Sequence, residues 1–206
     1  MSPASFDAAT GTPEGFEILL VCLGNVCRSP LAEHVLRMRI GELLPDGRST
    51  VHVGSAGVRA LTGQPMDGNA AAELRRLGGD ATTFRARQLT GEIAGRADLV
   101  LTATRALRSR VLEEAPRALK RTFTIREFAA IVGSPAFTEQ QFDGTDALVA
   151  TAAAWRGSVE VDDYDLADPI GRSAEVHRGV ADLIDGDCTV IAHAVAQAVR
   201  SEVGQP

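Results

Sequence analysis

Ten consecutive residues, Val21-Cys22-Leu23-Gly24-Asn25-Val26-Cys27-Arg28-Ser29-Pro30, constrain this chain more than any other stretch. The apolar run Ile18 to Val21 ahead of them predicts a short buried strand. Leu31-Ala32-Glu33-His34-Val35-Leu36 behind them reads as helix. Ser29-Pro30 is a helix-start signal, with Ser29 expected at or near the N-cap and Pro30 in the first turn. A strand running through a short loop into a helix N-terminus makes an anion cradle, because successive backbone N–H groups and the positive end of the helix dipole converge there. Gly24 and Asn25 are expected to supply the unusual dihedrals of the loop. Arg28 adds a planar fork for two phosphoryl oxygens.

The field that attracts a phosphate also stabilises a thiolate, and cysteines in such settings have pKa values of roughly 3.5–7.5. Ser29 is placed to donate a further hydrogen bond to the sulfur, though not with the proton it would use as a cap. The predicted chemistry is attack by Cys22 on a phosphoryl group held by Leu23, Gly24, Asn25, Val26, Cys27 and Arg28, giving a cysteinyl-phosphate.

Along the remaining chain strands and helices alternate. Strands are expected at 16–23, 50–53, 98–102 and 122–125. Helices are expected at 30–44, 67–77, 106–114, 126–132 and 146–155, then from Ser173 to about Arg200, with a break near Asp185-Gly186-Asp187 left open. This order argues for a single-domain α/β three-layer sandwich, a short parallel sheet of about four strands with helices on both faces. Ligands of such sheets sit beyond the carboxyl ends of the strands, where the cysteine loop falls. Residues 1–15 read as a flexible tail and 16–203 as the folded unit.

With 206 residues, one α/β core is the natural size. A net charge of −6 argues against nucleic acid or an anionic membrane as partner. No apolar run reaches transmembrane length. The N-terminus lacks the pattern of a signal peptide, and three cysteines make no disulfide framework. A cytoplasmic location follows as the expectation.

Cys22-Leu23-Gly24-Asn25-Val26-Cys27-Arg28-Ser29 closely resembles the phosphate loop of the low-molecular-weight protein-tyrosine phosphatases. His52 to Gly57, Gly63-Gln64-Pro65 with Asp67, Arg85 to Leu89 and Ala97 to Leu101 also look like family segments. The resemblance implies hydrolysis of phosphotyrosine in proteins, with no cofactor and no metal. It assigns the general acid to Asp168 in Asp168-Pro169, and Pro169 holds Asp168 extended. If the charges of Asp162, Asp163 and Asp165 reach Asp168, they help it stay protonated. By resemblance Ser55 supports Asn25, and Cys27 pairs with Cys22 as a disulfide under peroxide. A plain apolar packing role for Cys27 stands beside that reading, and Cys188 reads as packing.

Four departures from the family pattern stand out. Phe84 replaces a histidine of the loop's hydrogen-bond network, and Ile170 replaces an aromatic that stacks on the substrate. Leu61, with Ala60, replaces the opposite aromatic wall. The long connection from Val132 to Asp168 suggests a lid. Val26 leans toward phosphotyrosine, since relatives acting on phosphoarginine carry threonine there. Phosphoarginine therefore remains the alternative substrate. Arsenate reductase is disfavoured because no cysteine lies between Cys27 and Cys188. A non-catalytic phosphate-binding module is disfavoured because nucleophile, arginine and acid are all present. The spacing of Cys22 and Cys27, without a histidine pair, speaks against a zinc site. The loop also lacks a Gly-Lys-Ser/Thr ending, which excludes a nucleotide P-loop.

Overall fold

In a computed structural model of the chain, residues 15–45 and 51–203 are described. Apart from Gly15, the expected N-terminal tail lies outside them, as do the start of the second expected strand at Thr50 and the helix stop at Asp46-Gly47. The core is a four-stranded parallel sheet in the order β2-β1-β3-β4, formed by β1 (Phe16–Cys22), β2 (Val51–Gly57), β3 (Leu99–Thr102) and β4 (Thr122–Thr124).

β1 is buried along its whole length, as a central strand covered on both faces must be. Its side chains alternate between two cores. Ile18, Leu20 and Cys22 face a large cluster with α1 (Arg28–Leu43), α5 (Ile125–Val132) and α8 (Ala174–Val203). Leu19 and Val21 face a smaller one with α3 (Gly91–Arg96), α4 (Arg105–Glu114) and the 3-10 turn at 116–121. Three layers result, as the alternation of elements predicts. The parallel register pairs Leu20 with Ser55 and Cys22 with Gly57, so both strands deliver those residues to the same carboxyl-terminal edge.

Local chemistry sets several boundaries. Asp67 caps α2 (Gly68–Arg76) by accepting N–H bonds from Asn69 and Ala70, and Gly78, at φ 93°, turns the chain away after it. Thr124 and Glu127 form a reciprocal capping box at the start of α5. α8 runs 30 residues without a break at Asp185-Gly186-Asp187. One glycine in a helix packed along its length costs only about 1 kcal/mol, and burial of Ile184 and Cys188 on either side holds the helix together.

The connection from Val132 to Asp168 is not a lid. It carries α6 (Pro135–Thr138) and α7 (Thr145–Ala154), and Phe137, Phe142, Leu148 and Ala152 sink into the large core. Phe137 also packs edge-on against Trp155 at 5.5 Å between ring centroids. Such aromatic burial makes the segment structural.

Candidate active site

Beyond the edge of β1 and β2 the loop from Cys22 to Ser29 wraps a small concavity. The segment after Gly57 anchors this loop from outside. The amides of Val58, Arg59, Leu61 and Asp67 donate to the carbonyls of Cys22, Leu23, Gly24 and Val26 at 3.1, 2.9, 2.9 and 2.7 Å. With those carbonyls engaged, the amides of Leu23, Gly24, Val26, Cys27 and Arg28 donate to no acceptor among the described residues. Five unused donors beside the N-terminus of a 16-residue helix are a built anion site.

Only Asn25 takes the left-handed conformation, at φ 54°, and Gly24 does not. The expectation that Gly24 shares this task is therefore corrected. Asn25 is held there by its side chain: Nδ2 donates to Ser55 Oγ at 2.8 Å and Ser29 Oγ at 3.0 Å, and Oδ1 accepts from the Arg87 amide at 2.8 Å. Ser55 supports Asn25 as the resemblance implies. Close approach requires glycine at position 57 instead. A Cβ there would lie 2.7 Å from the Leu23 carbonyl oxygen and 2.9 Å from the Asn25 nitrogen.

Ser29 is not the N-cap. α1 begins at Arg28, Cys27 occupies the cap position without a side-chain bond, and Ser29 Oγ points to Cys22 Sγ at 2.9 Å. Pro30 follows inside the first turn. The competition between capping the helix and serving the sulfur is won by the sulfur. A second donor, the Asn25 amide, reaches Sγ at 3.3 Å.

Behind this network stands Glu33, which sequence reasoning missed. Its buried carboxylate accepts from Ser55 Oγ at 2.6 Å and pairs with Arg37. Because Ser55 spends its proton on Glu33, its oxygen is free to accept from Asn25. The polarity then runs outward through Asn25 and Ser29 to the sulfur. Glu33 lies on a helix that reads as amphipathic, and nothing in the local sequence marks its carboxylate as buried. Phe84, in place of the family's histidine, is buried and packs edge-on to His34 at 6.0 Å between ring centroids.

Arg28 is 5% exposed. Its Nη1 donates to the Leu166 carbonyl at 3.0 Å, its Nη2 meets Asp168 Oδ2 at 2.8 Å, and its buried Nε has no partner among the described residues. A buried donor without a partner is costly unless a ligand oxygen takes it. The Asp168 loop is tied down by the Leu166 amide on the Ala103 carbonyl at 2.9 Å, just past β3, and by Asp165 Oδ1 on the Arg105 amide at 2.8 Å. Asp165 thus turns to Arg105 and Asp163 accepts from the Asp165 amide at 2.9 Å. The charge that meets Asp168 directly is the Arg28 cation, so the expected influence of its acidic neighbours gains no support from these contacts.

Cys22, Leu23, Gly24, Val26, Cys27, Arg28, Leu61, Asp168 and Ile170 line one cleft of about 390 Å³. Cys22, 2% exposed, sits at its floor, and Leu61 and Ile170 form exposed walls. All the residues expected at the site therefore converge, Ser29, Asn25 and Ser55 as a layer behind the sulfur. Arg59 also lines the cleft and was missed, since an arginine in a loop carries no local signal. Chemically, the arrangement has the donors to take a tetrahedral oxyanion against a sulfur, with a carboxyl group beside it and an aliphatic slot above.

Residues 17–138 match the family model of the low molecular weight phosphotyrosine protein phosphatases. Among curated relatives, the chain is 36% identical over 131 residues to the probable low molecular weight protein-tyrosine-phosphatase EpsP of Ralstonia solanacearum, covering 64% of this chain and 85% of that one. Among solved structures it is similar to the YwlE arginine phosphatase of Geobacillus stearothermophilus, with a TM-score of 0.64, 30% identity and coverage of 86% and 91%. It is also similar to Vibrio vulnificus Wzb in complex with benzylphosphonate, with a TM-score of 0.61, 25% identity and coverage of 87% and 98%.

Proposed function

The chain belongs to the low molecular weight phosphotyrosine protein phosphatase family, and on that premise we propose that it hydrolyses phosphotyrosine in proteins through a cysteinyl-phosphate. The observation that carries this reading is the convergence on one cleft of Cys22 Sγ, the Arg28 fork and the Asp168 carboxyl group. Residues 16–203 act as one phosphatase unit.

In the first step the Cys22 sulfur attacks phosphorus while the ester P–O bond breaks. Free loop amides and the Arg28 guanidinium take the equatorial oxygens, whose charge grows in the transition state. Asp168 gives its proton to the departing tyrosyl oxygen. In the second step the same carboxylate takes a proton from water as the water oxygen attacks phosphorus. The P–S bond breaks, inorganic phosphate leaves, and the thiolate returns to the donors on Ser29 and Asn25. No cofactor enters either step.

A phosphoarginine substrate is the second reading, favoured by the likeness to an arginine phosphatase. Val26 supports phosphotyrosine: it lines the cleft and has threonine's shape without a hydroxyl to receive a guanidinium. Arsenate reduction finds no relay, since Cys188 is wholly buried on α8 with its Sγ 3.7 Å from the Ala32 carbonyl oxygen. No helix of the described residues is long and apolar enough to cross a membrane. Three unpaired cysteines support a reducing, cytoplasmic setting. The test is turnover of p-nitrophenyl phosphate and of phosphotyrosine, phosphoarginine and phosphoserine peptides. Hydrolysis of the first two and its loss in Cys22→Ser are expected. Preference for phosphoarginine would transfer the assignment to the second reading, and phosphate binding without turnover would reduce the protein to a binding module.

A further inference from the structure

Three side chains next to the cradle take no part in the mechanism above, and they meet from three different elements. Cys27 ends the phosphate loop at the N-cap of α1, Asp67 caps α2, and His177 sits in the first turn of α8. Cys27 Sγ lies 3.8 Å from His177 Nδ1, and that nitrogen lies 3.8 Å from Asp67 Oδ1. One donor atom from each residue falls within 4.8 Å of the other two. Cys27 and His177 are buried, at 4% and 3% exposure, while the Asp67 side chain, 30% exposed, opens the group to solvent.

We propose that Cys27, Asp67 and His177 form a binding site for a borderline divalent cation of the Zn²⁺ type, beside the phosphate cradle and separate from its chemistry. A thiolate, an imidazole and a carboxylate are the donor set such ions take, and three protein ligands leave a fourth position for water. Ligand bonds of about 2.0–2.3 Å in a tetrahedron put neighbouring donors about 3.3–3.7 Å apart. Two spacings of 3.8 Å and a third of at most 4.8 Å close on an ion by side-chain movements of about 1 Å or less. Asp67 is already oriented, because its Oδ1 accepts the amides of Asn69 and Ala70 at 3.0 and 3.1 Å, an outer set of contacts that fixes a ligand.

Charge supports the same conclusion. A dication held between the Cys27 sulfur and the Asp67 carboxylate brings these two anionic ligands to balance: the metal replaces the thiol proton, which leaves to solvent. Arg28 opposes the cation, yet its guanidinium is paired with Asp168 at 2.8 Å. Cys27 also lines the cleft, which gives the ion a way in. Cys27 and His177 are 150 residues apart, so no ligand-spacing motif reaches this group, and the spacing of Cys22 and Cys27 does not bear on it.

Co²⁺ is the probe, because its bond to a thiolate gives a charge-transfer band in the near ultraviolet. Chelator-treated full-length protein is titrated with Co²⁺, alongside Cys22→Ser, Cys27→Ser and His177→Phe. One Co²⁺ per chain is expected, with the band present in the parent and in Cys22→Ser, absent in Cys27→Ser, and displaced by Zn²⁺. His177→Phe keeps an aromatic ring in the buried space and is expected to weaken Co²⁺ binding at least tenfold while leaving metal-free p-nitrophenyl phosphate turnover unchanged. Absence of the band from the parent would overturn the site. So would a band lost in Cys22→Ser but kept in Cys27→Ser, or unaltered affinity in His177→Phe.

Discussion

The floor of the cleft and its rim are built on opposite principles. At the floor, Asn25, Ser29 and Arg28 are at most 5% exposed, and each is held by two or more partners drawn from β1, β2, α1, the Arg87 segment and the loop before α8. At the rim, Leu61 and Ile170 are 55% and 48% exposed. The rim's order comes from single contacts, such as Gln88 Oε1 on the Ala60 amide at 3.0 Å and the Ile170 amide on Asp168 Oδ1 at 3.4 Å. A network in which each donor direction depends on the next tolerates little change. Exposed aliphatic walls tolerate a great deal. On the proposed function, the reaction rests on the floor, while the choice of substrate draws on the rim and on the buried Val26 of the loop.

Asp168 belongs to both regions, held by a floor residue but standing half in solvent. Asp168→Asn is expected to lower kcat on p-nitrophenyl phosphate by about 10²–10⁴-fold, with KM little changed, as steady-state kinetics will show. A loss below tenfold would mean that the proton comes from elsewhere. Gly57→Ala tests the floor through its backbone. With no room for a Cβ against Leu23 and Asn25, the loop must move, and a displacement of the order of 1 Å is expected to cost about a hundredfold in kcat. Unchanged kinetics would show that the floor is more forgiving than its contacts imply.

The difference between floor and rim also explains what could be read from the chain beforehand. Val21 to Pro30 encodes strand end, loop, charge and helix start within ten residues, so the anion cradle was legible locally. Asp168 was legible only through resemblance, since an aspartate before a proline is an ordinary turn element. Glu33, Arg59 and His177 were not legible at all. Their roles arise from which helix face turns inward and which distant element packs there, and periodicity alone does not distinguish a buried glutamate from an exposed one. Gly24 and Asn25 both permit left-handed backbone, and only the tertiary partners of the Asn25 amide decide between them. The 133–167 connection looked like a lid because it is long; which of its apolar residues turn inward is set by tertiary packing, and Phe137, Phe142, Leu148 and Ala152 fill one side of the core.

At the rim the expected changes are modest and favourable. Ile170→Tyr restores an aromatic wall and should lower KM for aryl phosphates by roughly 2–10-fold, the equivalent of about 0.5–1.5 kcal/mol per aromatic contact. No effect on kcat is expected. A change in kcat without a change in KM would erase the distinction between the two regions.

The smallest effect concerns the support behind the floor. Burial, resisted by the neighbouring Glu33 charge, holds the His34 imidazole below its ordinary value of 6.5. The unfolded chain then takes up this proton before the folded one does. The stability contribution is complete above pH 6.5 and declines as pH falls from there through the lower folded value. Urea unfolding of the parent and of His34→Phe between pH 7.5 and 5 should show a shallower decline in the variant. Parallel curves would show that His34 does not carry this pH dependence.

Turnover quenched in acid and followed by peptide mass spectrometry addresses the central proposition most directly. In Asp168→Asn, where breakdown of the intermediate is slowed, the mass of one phosphoryl group is expected on the peptide at Cys22, labile as a thiophosphate, and nowhere on Cys22→Ala. Phosphate release with no phosphorylated Cys22 at any quench time, or the label on another residue, would contradict a sulfur nucleophile at the floor of the cleft.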